Sequence, residues 1–151
     1  MTVSLHQPFR LLPLAALTLT LGLVATASAA DPIEQRQQDF KAAKRSVEQI
    51  KAGLGDHKPA AVAAAAQSLS DLGARIPGLF PPGSNQGKTD AKAEIWTNFA
   101  DFSAKAKTFQ ERADTLAQLA AAPGTDRARL ADAFDAMMAS CKACHRTYKE
   151  D

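Results

Sequence analysis

The chain has 151 residues, 18 Lys and Arg against 16 Asp and Glu, and a formal charge of +2. No block of like charge stands out, which argues against a nucleic-acid binder or a polybasic membrane anchor. Aromatics make up only 6% of the residues and alanine is abundant, a balance that favours helices over strands.

The first 29 residues read as a cleaved secretory signal. Arg10 supplies the positive end, Leu11 to Ala25 forms an apolar run, and Ala27-Ser28-Ala29 is a small-residue cleavage site. The run is too short for a stable membrane span, which needs ~20 apolar residues. Cleavage after Ala29 or Ala30 leaves one domain, residues 30–151. It removes Arg10 and no acid, so 17 basic residues then face 16 acidic ones, about +1.

Four helical stretches follow. The first opens at Asp31-Pro32-Ile33-Glu34, with Asp31 as cap and Pro32 at the first helical position. Ile33, Phe40, Val47 and Ile50 share one face, and Gly53 and Gly55 mark its end. The second opens after Pro59 and carries the stripe Val62, Ala65, Ala66, Leu69, Leu72 and Ile76 before Pro77-Gly78 stops it. Residues 77–90, rich in Pro and Gly, form the longest connection, and loops of that length are often functional.

The third stretch has the clearest rhythm. Ile95, Phe99, Phe102, Ala106, Phe109, Ala113, Leu116 and Ala120 alternate steps of 4 and 3, the pattern of a bundle seam, until Pro123-Gly124 breaks it. The fourth begins near Thr125-Asp126 and repeats the rhythm through Leu130, Phe134, Met137, Cys141, Cys144 and Tyr148. The expected fold is all-α, an antiparallel four-helix bundle.

Cys141-Lys142-Ala143-Cys144-His145 spells C-x-x-C-H, the attachment signature of a c-type haem. The two thiols can form thioethers with the haem vinyl groups, and His145 can ligate the iron. A redox dithiol and half of a zinc site use the same cysteine spacing. A zinc site needs a second ligand pair, but Cys141 and Cys144 are the chain's two cysteines and the other histidines are His6 and His57. A thioredoxin-like dithiol needs a βαβ setting, and these flanks read as helix. Haem attachment takes place outside the bacterial cytoplasmic membrane, so signal and motif agree on a periplasmic location.

A methionine is a common sixth ligand in cytochromes c. After the signal, only Met137 and Met138 remain, both just before His145 on the same helix, and neither can cross to the opposite haem face. His57 falls in the first interhelical connection, and a lysine ligand stays open. The expected iron is five-coordinate, with an apolar distal side able to bind small diatomics.

At this point the chain resembles cytochrome c prime, the class II cytochromes c, over essentially all of the mature sequence. The matching stretches are Arg36-Gln37-Gln38-Asp39-Phe40, Ile76-Pro77-Gly78-Leu79-Phe80, Pro82-Gly83-Ser84, Ala93-Glu94-Ile95-Trp96 and Cys141 through Lys149. The resemblance implies one covalent haem c on Cys141 and Cys144, with His145 as proximal ligand. It implies Arg36 and Gln37 at the haem propionates, Thr89 or Asp90 near the haem edge, and Phe40 in the distal position that low-spin relatives fill with methionine. Lys149 matches a basic residue near the proximal histidine. Implied too are electron transfer or nitric oxide and carbon monoxide binding rather than enzyme turnover, unknown redox partner proteins, and a possible homodimer. Ala93 departs from the proline of the family's P-E-I-W, and the loop after Phe80 is slightly longer than in some relatives.

Overall fold

The computed structural model describes residues 31–150; the expected signal peptide lies outside them. Helix α1 spans Pro32–Gly55, α2 Pro59–Arg75, α3 Glu94–Thr97, α4 Phe99–Ala121 and α5 Arg127–Tyr148, with a 3-10 turn at Ile76–Leu79. The long helices α1, α2, α4 and α5 form the antiparallel four-helix bundle. Among the described residues, no helix is long and apolar enough to cross a membrane.

Two helix starts follow directly from their caps. Asp31 accepts a hydrogen bond from the Ile33 N–H at 2.9 Å, and Asp126 accepts one from the Arg129 N–H at 2.9 Å. Each satisfies an amide that would otherwise lack an intrahelical partner. Between α1 and α2 the chain turns within three residues, and His57 takes the left-handed conformation there, at φ 55°.

The core runs along the facing stripes of α2, α4 and α5, centred on Val62, Leu69, Leu116 and Met137. The pair α2 and α4 packs most closely. Gly73 makes this possible: a Cβ there would lie 2.7 Å from Gln110 Cβ and 2.8 Å from Gln110 Cα. The helix backbones therefore approach where a side chain would hold them apart. By contrast, α1 and α5 barely touch.

One departure from the sequence reading stands out. The third stretch is not one helix but two, broken at Asn98, whose backbone (φ −119°, ψ 41°) leaves the helical region. The break rotates Phe99 off the seam, so that it is 39% exposed while Phe102 is 3% exposed. On α1, Ile50 is buried, but Ile33, Phe40 and Val47 are only half-buried. Their stripe looks toward the side on which α1 and α5 stand apart.

The 81–93 connection is an ordered part of the fold. Phe80 is buried and packs edge-on against Phe102 (4.9 Å between ring centres) and Trp96 (6.0 Å). Trp96 Nε1–H donates to the Pro81 carbonyl at 3.0 Å, which ties the start of the loop to α3.

Candidate functional site

Cys141 and Cys144 lie three residues apart on α5, on one helix face, half-buried and packed against the core. No disulfide joins them. Burial pushes the Cys141 thiol up to about 11 and also raises Cys144. Reactive redox thiols need the opposite, a lowered pKa in an electropositive setting. No group of three His, Cys, Asp or Glu suited to a metal ion occurs among the described residues. Neither observation favours the dithiol or the zinc reading of the motif.

His145 sits beside Cys144 at the exposed edge of the same face. Lost hydration first, and then the charge of Lys149, lower its pKa, which favours the neutral imidazole that metals take as a ligand.

Arg36 is the unexpected member. A mid-helix arginine would ordinarily be solvated, yet this one is 3% exposed. Its Nη1 donates to Ser84 Oγ at 3.1 Å, and its Nη2 donates to the Ser84 carbonyl at 2.9 Å and to Thr89 Oγ1 at 2.8 Å. The guanidinium also lies over the Phe80 ring at 4.8 Å and near the Trp96 ring at 5.9 Å. Desolvation lowers its pKa, partly offset by Asp31. Among the described residues, no carboxylate forms an ion pair with it.

Gln37, exposed on the next position, donates from Nε2 to the Lys88 carbonyl at 3.0 Å. Arg36 and Gln37 thus hold the 84–89 loop against α1. Thr89 is half-buried and Asp90 exposed. From there the chain runs alongside the end of α5. Lys92 N–H donates to the Tyr148 carbonyl at 3.1 Å, Glu150 N–H donates to the Asp90 carbonyl at 2.8 Å, and Ala91 faces Lys149 as an antiparallel bridge. The loop that touches Arg36 is therefore stitched to the helix that carries the C-x-x-C-H motif.

Phe40 is half-buried on α1, with its ring centre 6.4 Å from that of Phe80. Met137 is fully buried and Met138 half-buried. His57 is exposed, 3.3 Å from the Arg127 guanidinium at the far end of α5. Arg127 and His145 are 18 residues apart on that helix, about 27 Å at 1.5 Å per residue. Of these side chains, His57 is the one removed from the site.

The residues fit a haem. Two thiols one turn apart, an imidazole beside the second and a line of half-buried apolar side chains on α1 (Phe40, Ala43, Val47) and α5 (Phe134, Met138) suit an apolar macrocycle. A buried guanidinium without an acidic partner, which still has N–H groups to donate, suits its carboxylates.

Two features of the site carried no clear sequence signal. Ser84 is buried, accepts from Arg36 and donates from Oγ to the Pro81 carbonyl at 2.9 Å. Its place after Pro82-Gly83 marked a turn but not an arginine partner. Tyr148 is buried and donates to Asp101 Oδ2 at 2.5 Å. Its seam position was legible; its partner on α4 was not.

Comparison with known proteins agrees with this geometry. Residues 31–149 match the family model described as Cytochrome C′. The cytochrome c-556 of Agrobacterium fabrum is 40% identical over 124 residues, 80% of this chain and 82% of that one. A cytochrome c′ described by its unusual ligand-controlled dimer dissociation superposes with a TM-score of 0.71 at 31% identity, over 80% of this chain and 95% of that one. The nitric oxide complex of a cytochrome c prime mutant from Alcaligenes xylosoxidans superposes with a TM-score of 0.69 at 28% identity, over 82% and 100%.

Proposed function

Since the chain belongs to the cytochrome c′ family, whose members are non-enzymatic haem proteins with covalent haem c, we propose that it is a periplasmic one-electron carrier with an open distal side. When bound, the haem would supply the Fe(III)/Fe(II) couple and an iron at which a small ligand could bind. Cys141 and Cys144 hold it covalently. His145 is the proximal ligand, and the neutral form favoured by its surroundings leaves a nitrogen lone pair free for iron. Arg36 and Gln37 receive the propionates, and the Thr89-Asp90 segment borders the haem edge.

The observation that carries the reading is that, among the described residues, no methionine or second histidine is placed to face His145 across a haem. Phe40 offers a ring without donor atoms. Met137 and Met138 lie on the same helix as His145. His57 stands about 27 Å along α5 from it. The half-buried apolar side chains Phe40, Ala43 and Val47 of α1 would leave room for a neutral diatomic at an iron held by His145. The nitric oxide complex of the Alcaligenes relative supports a second reading, gas scavenging or sensing at the same position. The dimer reported for another relative supports self-association of this chain. Periplasmic location rests on the signal-like first 29 residues.

Absorption spectra of the purified protein, oxidised, reduced and under carbon monoxide, test the reading. A high-spin ferrous spectrum that shifts with the gas is expected. A low-spin spectrum indifferent to carbon monoxide refutes the open site. Phe40→Met is expected to move the spectrum toward low spin, and no change would remove Phe40 from the distal face.

A further inference from the structure

The stitch between the loop and the end of α5 brings together two charges that the sequence keeps 59 positions apart. Lys149 follows the last residue of α5 and donates its backbone N–H to the His145 carbonyl at 3.0 Å. Its ammonium lies 3.5 Å from Asp90 Oδ2 and also donates to the Glu150 carbonyl at 2.8 Å. Lys149 stands four residues, about one helical turn, after His145.

We propose that Asp90 is a positioning residue for the iron: by pairing with Lys149 it fixes where that ammonium stands relative to His145, and so sets the reduction potential. This rests on the reading of His145 as the iron ligand. An exposed ion pair between free side chains is ordinarily weak, because two mobile chains must be held in one geometry. Here the backbones are already held. The bonds Lys92 N–H to Tyr148 carbonyl and Glu150 N–H to Asp90 carbonyl set both residues in register. At the other end, Arg36 bonds Thr89, so the carboxylate is carried on a segment anchored on both sides. With Asp90 in place, positive and negative charge stand together near the imidazole and largely cancel at the iron. Without it, the ammonium is uncompensated and free to approach the ring. A positive charge near the iron disfavours Fe(III) and raises the potential.

The test uses the haem-loaded full chain. Midpoint potentials are measured by spectroelectrochemical titration at low and high salt for the wild type, Asp90→Asn, Asp90→Glu, Lys149→Met and the double variant Asp90→Asn/Lys149→Met. Asp90→Asn is expected to shift the midpoint upward, and the shift shrinks in high salt, where exposed charges are screened. Asp90→Glu keeps the wild-type value. The same Asp90→Asn change produces less than half the shift when Lys149 is already methionine. Equal shifts in both backgrounds, or none in either, overturn the proposal. Covalent haem, read from the spectrum of the denatured protein, is scored separately: its absence would defeat the haem reading itself, whereas covalent haem with an unmoved potential defeats only the role of Asp90.

Discussion

Replacing Gly73 with alanine sets two effects against each other, and the geometry decides between them. Alanine is the better helix former by about 1 kcal/mol, so propensity alone makes Gly73→Ala stabilising. The new methyl, however, would stand 2.7 Å from Gln110 Cβ, 2.8 Å from its Cα and 3.0 Å from its backbone nitrogen. Ordinary carbon contacts lie near ~3.5–4.0 Å, so α4 must retreat by about 1 Å. Two of the three nearest atoms are main chain and cannot swing aside. Overpacking of this kind costs roughly 1–3 kcal/mol. The expected net effect is a loss of up to about 2 kcal/mol. Gly55 supplies the control: nothing lies within 4 Å of a Cβ built there, so Gly55→Ala should gain up to about 1 kcal/mol. Urea unfolding of the haem-loaded protein, followed by circular dichroism, measures both. With a slope of ~1–3 kcal/mol per molar urea, the Gly73 variant should unfold earlier than the wild type, by about 0.3–1 M for each kcal/mol lost. A Gly73→Ala midpoint equal to or above the wild type would refute the packing argument.

Arg36→Met should destabilise by about 1–3 kcal/mol, because the buried Ser84 carbonyl is left unpaired while Ser84 Oγ keeps Pro81 and Thr89 keeps the Ala91 N–H; a thermal midpoint that stays in place would show the clamp is not needed. Burial and the Asp101 carboxylate push the Tyr148 phenol up to about 12. The folded state therefore holds its proton more tightly than the unfolded one, so stability is full below pH ~10 and falls as pH rises from there toward 12. Urea melts over that window should show the decline, and Tyr148→Phe should flatten it. Finally, Phe102→Ala should cost about 3–5 kcal/mol and Phe99→Ala within about 0.5 kcal/mol, although the sequence rhythm gives both residues to the same seam. Equal losses at the two positions would mean that the break at Asn98 does not turn Phe99 outward.

The legible parts of the molecule are those in which one local signal acts alone. Asp31 and Asp126 cap the helices they precede, and the 3-4 rhythm of Leu130, Met137 and Tyr148 puts these residues in the core. The C-x-x-C-H motif is readable because its spacing is itself the chemistry. What stayed hidden depends on tertiary contact. The break at Asn98 carries no proline or glycine and follows the packing of Trp96 and Phe80. Burial of Arg36 needs Ser84 and Thr89, 48 and 53 residues further on, and nothing in Arg36-Gln37 points to them. The half-exposure of Ile33, Phe40 and Val47 reflects the distance between α1 and α5, which a helical period cannot report.

The short bridge between Ala91 and Lys149 makes the end of the chain a working part. A tail that merely trailed from α5 could be trimmed without consequence. Here Glu150 and Lys149 help hold the loop that lies against Arg36, so removing them leaves the 88–92 segment held at one end only by the Lys92-to-Tyr148 bond, with the Arg36-to-Thr89 bond at the other. Truncation before Lys149 would leave the four long helices whole and loosen the segment beside the helix that carries the C-x-x-C-H motif.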